Sequence, residues 1–397
     1  MRIGVDCTSI NTKYKGGVNT YILGLLSGLV TLKNQYKYEL VIFCHKNDKF
    51  FFNDFIGKKG VRFVTINYKS KVLYFFMLLP FIFNSLIFWR KFSNLYSELK
   101  GIKRKIEENC DILLAPKTIL NYYNLKIPTI LSMHDIQQYH YPEFFTKFNL
   151  RYRKLTYENS AKVSEYFQAS SQFIKEDLLE HFKFLEANQI FVIPEGVNIK
   201  EFQKGGIKFD VKRKYNLPDK FLFFPAQLWK HKNHITVLKA LKKLANEGLD
   251  IPLVLTGAKY SGSKDVFDFI NKNNMKHVYY LGKISFHDII ALYHKATFLI
   301  TAVLYESSSL PILEAAASGT AIIASKTPPN QELANNLDIN MFSPLDVDNC
   351  AKVIKGSWLA SRDDIKKHID KNLDSINQYS WDKVAEKYLN NIRKIIN

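Results

Sequence analysis

Twelve short apolar runs of five to eight residues punctuate this chain, and longer segments with helical periodicity lie between them. In the first half the runs are "RIGVDC" (2–7), "ELVIFCH" (39–45), "RFVTI" (62–66), "DILLAP" (111–116), "PTILSMHD" (128–135), "EYFQAS" (165–170) and "IFVIPEG" (190–196). The second half restarts with "FLFFPA" (221–226), then "PLVLTGA" (252–258), "VYYLGK" (278–283), "TFLITA" (297–302) and "AIIAS" (321–325). Apolar strands alternating with helices predict parallel sheets covered on both faces. Between the two sets lies "GVNIKEFQKGGIKFDVKRKYNLPDK", rich in Gly, Lys and turn residues, which reads as an interdomain connection. The expected fold is therefore α/β, with two Rossmann-like doubly wound domains facing a central cleft. In such folds strand C-termini and helix N-termini line the ligand crevice. A length of 397 residues agrees with two domains.

Composition narrows the setting. The four cysteines, Cys7, Cys44, Cys110 and Cys350, are far apart with no Cys-x-x-Cys, so reduced thiols in a cytoplasmic protein are expected. The start, "MRIGVDCTSI", has no long apolar stretch of the signal-peptide kind. A formal charge of +19 suits a polyanionic partner or a lysine-heavy solvated surface; charge alone does not choose. Nucleic-acid binding is not expected, because the aromatic residues cluster in an apolar run and do not interleave with basic ones.

That run is "VLYFFMLLPFIFNSLIFW", residues 72–89, without a charge. Pro80, Asn84 and Ser85 would kink or break a spanning helix. Residues 60–105 carry nine basic residues and one acid, Glu98. An interfacial helix pair on an anionic membrane surface is the favoured expectation, with a helix buried against the first sheet as the alternative.

The chemistry is concentrated in "LYESSSLPILEAAASGTAIIAS" (304–325). Ser309 is placed to cap a helix whose first turn holds Leu310 and Pro311. A helix N-terminus suits a diphosphate. Carboxylates beside it repel phosphate, so Glu306 and Glu314 are expected to accept hydrogen bonds from hydroxyls, as on a ribose and a sugar. Taken alone the segment favours the alternative of a first-turn capping acid and an unrelated surface glutamate, and the segments that follow lift the first reading. In "PAQLWKHKNHITVLKAL" (225–241), Lys232 is expected to meet the diphosphate as a point charge. In "KGGVNTYILGLL" (15–26), Gly16 and Gly17 would let a ligand approach a helix start. In "SMHDIQQYHYPEFF", His134 and Asp135 stand at a strand end; a lone His–Asp pair is more often structural, and the neighbouring features lift it. "DVD" at 346–348 resembles a metal-binding pair of acids, but reads as a helix start.

Taken in order over nearly the whole chain, these segments resemble the glycosyltransferase family 4 enzymes of the GT-B fold. The Gly-Gly loop, the "HD" strand end, "FQASSQFIKEDL" (167–178), "IFVIPEGVNIKEF" (190–202), the "HKNH" lysine stretch, "VLTGA", "YYLGK", the two glutamates separated by seven residues, and the final "YSWDKVAEKYL" (379–389) carry the likeness. It implies a retaining hexose transfer from a nucleotide diphosphate sugar without a bound metal or other cofactor. It further implies that Lys232 neutralises the leaving diphosphate, Glu306 contacts the donor sugar, Glu314 holds the ribose, His134 lies by the sugar and Gly17 near the phosphates. The family's second phosphate-binding arginine is replaced by Gln227, for which Lys230 or His231 could substitute; Ser307, Ser308 and Ser309 replace a Gly-Phe-Gly. Gln227, Ser308, Ser309 and Leu310 join the expected donor-binding set.

The domains expected are 1–196 for the acceptor, 197–375 for the donor, and a helix, 376–397, crossing back to the first. The expected function is transfer to a lipid-linked saccharide in bacterial surface polysaccharide synthesis, on the inner face of the plasma membrane. The donor is read as GDP-mannose, otherwise a UDP-sugar. The alternatives are a non-catalytic GT-B binding subunit of a polysaccharide assembly complex, motivated by Gln227 and the three serines, and a nucleotide-sugar epimerase.

Overall fold

The computed structural model describes residues 1–8, 10, 16–66, 101–120, 122, 124–205 and 210–396. The 72–89 stretch lies outside the described residues. Among those described, no helix is long and apolar enough to cross a membrane.

The chain divides into two compact units, Met1–Gly196 with Trp381–Asn397, and Val197–Ser380. All twelve apolar runs contain strands. The first seven are β1 (Arg2–Asp6), β2 (Glu39–Cys44), β3 (Val61–Thr65), β4 (Ile112–Ala115), β5 (Thr129–Ser132), β6 (Tyr166–Ala169) and β7 (Ile190–Val192). They form one sheet in the order β3-β2-β1-β4-β5-β6-β7. The second unit has β8 (Leu222–Pro225), β9 (Leu253–Thr256), β10 (Val278–Tyr280), β11 (Phe298–Thr301), β12 (Ala321–Ser325) and β13 (Asn340–Phe342), ordered β10-β9-β8-β11-β12-β13. Every pairing is parallel. Counted within each unit, the strand order is the doubly wound one, and it reverses between the first and fourth strands. The two parallel sheets of the expected fold class are present. Apart from β3 and β12 the strands are shorter than the apolar runs, and the loops that follow β5, β8 and β11 carry candidate site residues.

The four cysteines are buried and none is in a disulfide. The acidic pair at 346–348 starts a helix: Asp346 accepts from the Asn349 amide at 2.9 Å, and Asp348 pairs with Lys243 at 2.7 Å.

In the first unit, helix α1 (Gly17–Tyr36) packs along the C-terminal helix Trp381–Ile396. Tyr21, Ile22, Leu25, Leu26 and Leu29 share a buried cluster with Trp381, Val384, Ala385, Tyr388, Leu389 and Ile392. The approach is so close that a Cβ on Gly24 would stand 1.9 Å from the Trp381 ring, and one on Gly28 2.2 Å from the Trp381 carbonyl oxygen. The two glycines sit one helical turn apart on the face that α1 turns to its partner.

Gly24→Ala is therefore expected to destabilise the protein by ~1–3 kcal/mol through overpacking. Gly356→Ala, on an exposed helix where a Cβ meets nothing within 4 Å, is expected to stabilise it by up to ~1 kcal/mol through helix propensity. Urea titration of the two variants beside the parent checks both signs.

Candidate active site

In the second unit the strand order reverses between β8 and β11, and the loops leaving these strands carry the two oppositely charged candidates. After β8 the chain makes a single tight turn, Lys230–Lys232, and enters helix α2 (His234–Asn246) through Asn233 at φ 56. Asparagine tolerates this left-handed conformation. Its side chain is fixed by donating to the Pro344 carbonyl at 2.6 Å and accepting from the Thr236 hydroxyl at 2.9 Å. The Leu304 amide donates to the His231 carbonyl at 2.8 Å, so the two loops are joined through the backbone.

That join brings Lys232 Nζ to 2.5 Å from Glu306 Oε1, with side chains 18% and 16% exposed. The sequence placed both residues at the donor but did not foresee that they would pair. Glu306 Oε2 is buried and has no hydrogen-bond partner among the described residues. His234, the next residue but one after Lys232, is buried against the Phe224 ring with centroids 4.2 Å apart. Burial first, then the Lys232 charge, pull its pKa down to about 3, so it is neutral and adds no second cation here.

Helix α3 (Leu310–Ser318) follows Glu306, with Pro311 in its first turn and Gly319 closing it at φ 69. The expectation that Ser309 caps this helix needs correcting. Ser309 occupies the N-cap position, but its side chain makes no capping bond. Its ψ of 86° departs from the extended backbone that usually brings a cap hydroxyl over the first turn. Instead its Oγ is fully buried, without a hydrogen-bond partner among the described residues. In the first turn Pro311 has no N–H and the Ile312 amide donates to the Ser309 carbonyl at 3.0 Å, so Leu310 supplies the amide that the α-helix cannot satisfy internally. Ser308 and Leu310 are half-buried at the same helix start.

Glu314 lies one turn into α3, partly buried, and accepts from the Tyr293 hydroxyl at 2.7 Å. Burial raises its pKa to about 7, against the lowering effect of that bond. The Tyr293 phenol is raised well above its ordinary value, first by burial and then by the charges of Glu314 and Glu306. Both glutamates thus act on one buried side chain. Gln227 turns its side-chain carbonyl to the Trp229 indole N–H at 3.0 Å, and Trp229 stacks on Tyr260 at 3.9 Å. Lys230 is exposed and His231 half-buried.

The first unit holds the remaining candidates. Gly16 is the N-cap of α1 in extended backbone that any residue adopts, and a Cβ there would meet nothing within 4 Å. The fold itself thus makes no demand for glycine at 16. Gly17 is exposed at the first helical position. His134, just past β5, packs edge-on to Tyr21 at 4.9 Å. Its Nδ1 is 3.7 Å from Glu195 Oε1, with side chains 11% and 9% exposed. Asp135 is engaged elsewhere, accepting from Arg153 at 3.1 Å. Two features were not read from sequence. Glu195, inside the joining segment "IPEG", backs His134. At the β1–β4 reversal of the first sheet, Lys117 Nζ lies 2.6 Å from the fully buried Asp6. Only their positions at strand ends could have signalled them.

A carboxyl whose pKa is higher in the folded than in the unfolded state binds extra protons when folded, so stability falls as pH rises between the two values. For Glu314 the window runs from the ordinary carboxyl range to about 7, and the loss across it is about 3 kcal/mol. Glu314→Gln is expected to flatten that part of the stability–pH curve between acid and neutral pH. An unchanged slope in denaturation series would contradict the reading.

Residues 15–201 match the family Glycosyltransferase Family 4, and residues 208–372 match the family Glycosyl transferases group 1. The chain is 27% identical over 208 residues to the O-antigen chain mannosyltransferase RfbU of Salmonella typhimurium, across 52% of this chain and 54% of that protein. It is 23% identical over 269 residues to the O-antigen chain mannosyltransferase B of Escherichia coli, across 66% and 69%. It thus spans only about half the length of the first of these relatives. Among solved structures, Anabaena HepE in complex with UDP and glucose superposes with a TM-score of 0.68 at 15% identity, over 99% of this chain and 100% of that one. The two matched families, one on each unit, and the two doubly wound sheets make this chain a member of glycosyltransferase family 4 with the GT-B fold.

Proposed function

We propose that this protein is a retaining glycosyltransferase that moves a hexose from a nucleotide diphosphate sugar to a lipid-linked saccharide in bacterial surface polysaccharide synthesis. The donor is GDP-mannose in this reading, otherwise a UDP-sugar. The observation that carries it is the Lys232–Glu306 pair at the β8–β11 reversal, beside the start of α3.

The chemistry follows from that arrangement. A diphosphate at the start of α3 accepts from the Leu310 amide and draws the Lys232 ammonium to itself. Glu306 then loses its partner and takes a sugar hydroxyl, with Oε2 already lacking one. The Ser309 hydroxyl, buried and unpartnered, has the same capacity for a ligand oxygen. Glu314, held by Tyr293, accepts from the ribose hydroxyls. As the glycosidic bond to phosphate breaks, negative charge grows on the leaving oxygen, and Lys232 with the positive start of α3 stabilises it. The acceptor oxygen bonds to the same face of the anomeric carbon and passes its proton to the departing phosphate. Positive charge for the leaving group comes from the chain, so no metal is required of these residues. Gln227 and Ser308 lie at its phosphate side in this reading, and His134, Gly16 and Gly17 remain the candidate site residues of the first unit.

The names of the relatives support mannose and O-antigen chains. The basic, apolar 60–105 region supports a peripheral place on the anionic inner face of the membrane.

The test is release of nucleoside diphosphate from each common nucleotide sugar, with and without bacterial lipid extract. One donor is expected to turn over. Lys232→Ala and Glu306→Ala are each expected to lower kcat by about 10²–10³-fold. No turnover of any donor by the folded protein with lipid present would favour a non-catalytic binding subunit.

A further inference from the structure

Away from the donor-side residues, the first unit gathers His140, Asp177 and His181. Helix Gln172–His181 carries Asp177 and His181 at i and i+4, so they project from one face. His140 ends the single turn Gln137–His140 that follows β5. Asp177 Oδ1 lies 2.7 Å from His140 Nε2 and 3.2 Å from His181 Nδ1. One ligand atom from each residue lies within 4.8 Å of the other two. The carboxylate is 2% exposed and forms the floor, while the imidazoles, 30% and 21% exposed, form a mouth open to solvent. The rings are oriented by packing: Tyr139 stands 4.6 Å from His181, and Phe173 6.4 Å from His140.

We propose that His140, Asp177 and His181 form a binding site for one divalent first-row transition ion of the zinc class. Two imidazoles with one carboxylate suit such ions, whereas magnesium and calcium favour oxygen ligands throughout. Three protein ligands leave a fourth position for water. Bonds of about 2.0–2.2 Å in a tetrahedron separate neighbouring ligand atoms by roughly 3.3–3.6 Å. The His181 contact, at 3.2 Å, is within a few tenths of an ångström of that spacing, and His140, at 2.7 Å on the exposed side, has to withdraw by about 0.6–0.9 Å.

Without the ion, the same atoms share protons. His181 Nδ1 lies 3.0 Å from the Asp177 carbonyl, and the bond to Asp177 raises the His140 pKa. The ion displaces those protons on entry. Bound, it ties a helix to the turn that begins shortly after His134. Its role is to staple this segment, and it stands independently of the transfer reaction.

The experiment is titration of untagged, chelator-stripped protein with Co²⁺, read by its visible d–d absorption, with Zn²⁺ as competitor. A saturable band at one equivalent is expected, displaced by Zn²⁺, together with a Zn²⁺-dependent rise in Tm. His140→Ala and His181→Gln are each expected to weaken binding by more than the ~10–100-fold that loss of a supporting partner costs. Glutamine at 181 can still donate to the Asp177 carbonyl, and circular dichroism confirms that both variants remain folded. Absence of a saturable band in the parent, or a band that survives both substitutions, would overturn the site and leave a hydrogen-bonded ion pair.

Discussion

The contact on which the account turns is the ion pair between Lys232 and Glu306. Each side chain is mostly removed from water, where an unpaired charge is expensive. The two therefore hold one another, and in the proposed function each is half of what a nucleotide sugar needs. A diphosphate competes for the cation with more negative charge than one carboxylate, and a sugar hydroxyl can satisfy the carboxylate so released. The pair keeps the charges in place without satisfying them completely, since Glu306 Oε2 remains without a partner among the described residues.

The position of that pair follows from topology. In a doubly wound sheet, consecutive strands run outward from the middle in both directions, and the loops at the reversal diverge to leave a crevice. Lys232 leaves β8 and Glu306 leaves β11, the two strands at that reversal, and the bond from Leu304 to His231 fixes their loops together. The first sheet repeats the pattern with Asp6 at the end of β1 and Lys117 after β4, again a buried pair at the reversal.

Much of this was legible in the sequence because a strand buried on both faces must be an uninterrupted apolar run. Among the described strands only β13 escaped, since "NMF" opens on Asn340 and is followed by Ser343 and Pro344, so no apolar run marks it. Lys232, Glu306 and Glu314 were visible as charges set at strand ends and a helix start. Their electrostatics were not: Glu314 is raised to about 7 by tertiary burial, and Tyr293, its partner, comes from a different helix. Ser309 shows how local rules mislead. Its residue type and position say cap, but the backbone bends it inward and the hydroxyl is buried instead. The His140 cluster was illegible for a different reason. Only the i, i+4 spacing of Asp177 and His181 is local, and the third member arrives from another element.

The most direct measurement is a crystal structure of the protein with a hydrolysis-resistant nucleotide diphosphate sugar. The account predicts the diphosphate at the start of α3, with Lys232 Nζ in hydrogen-bond contact with a phosphate oxygen and the Lys232–Glu306 contact opened. Glu306 should then accept from a hydroxyl of the sugar, and Glu314 from the ribose. A nucleotide bound elsewhere, with the ion pair intact, would contradict the account.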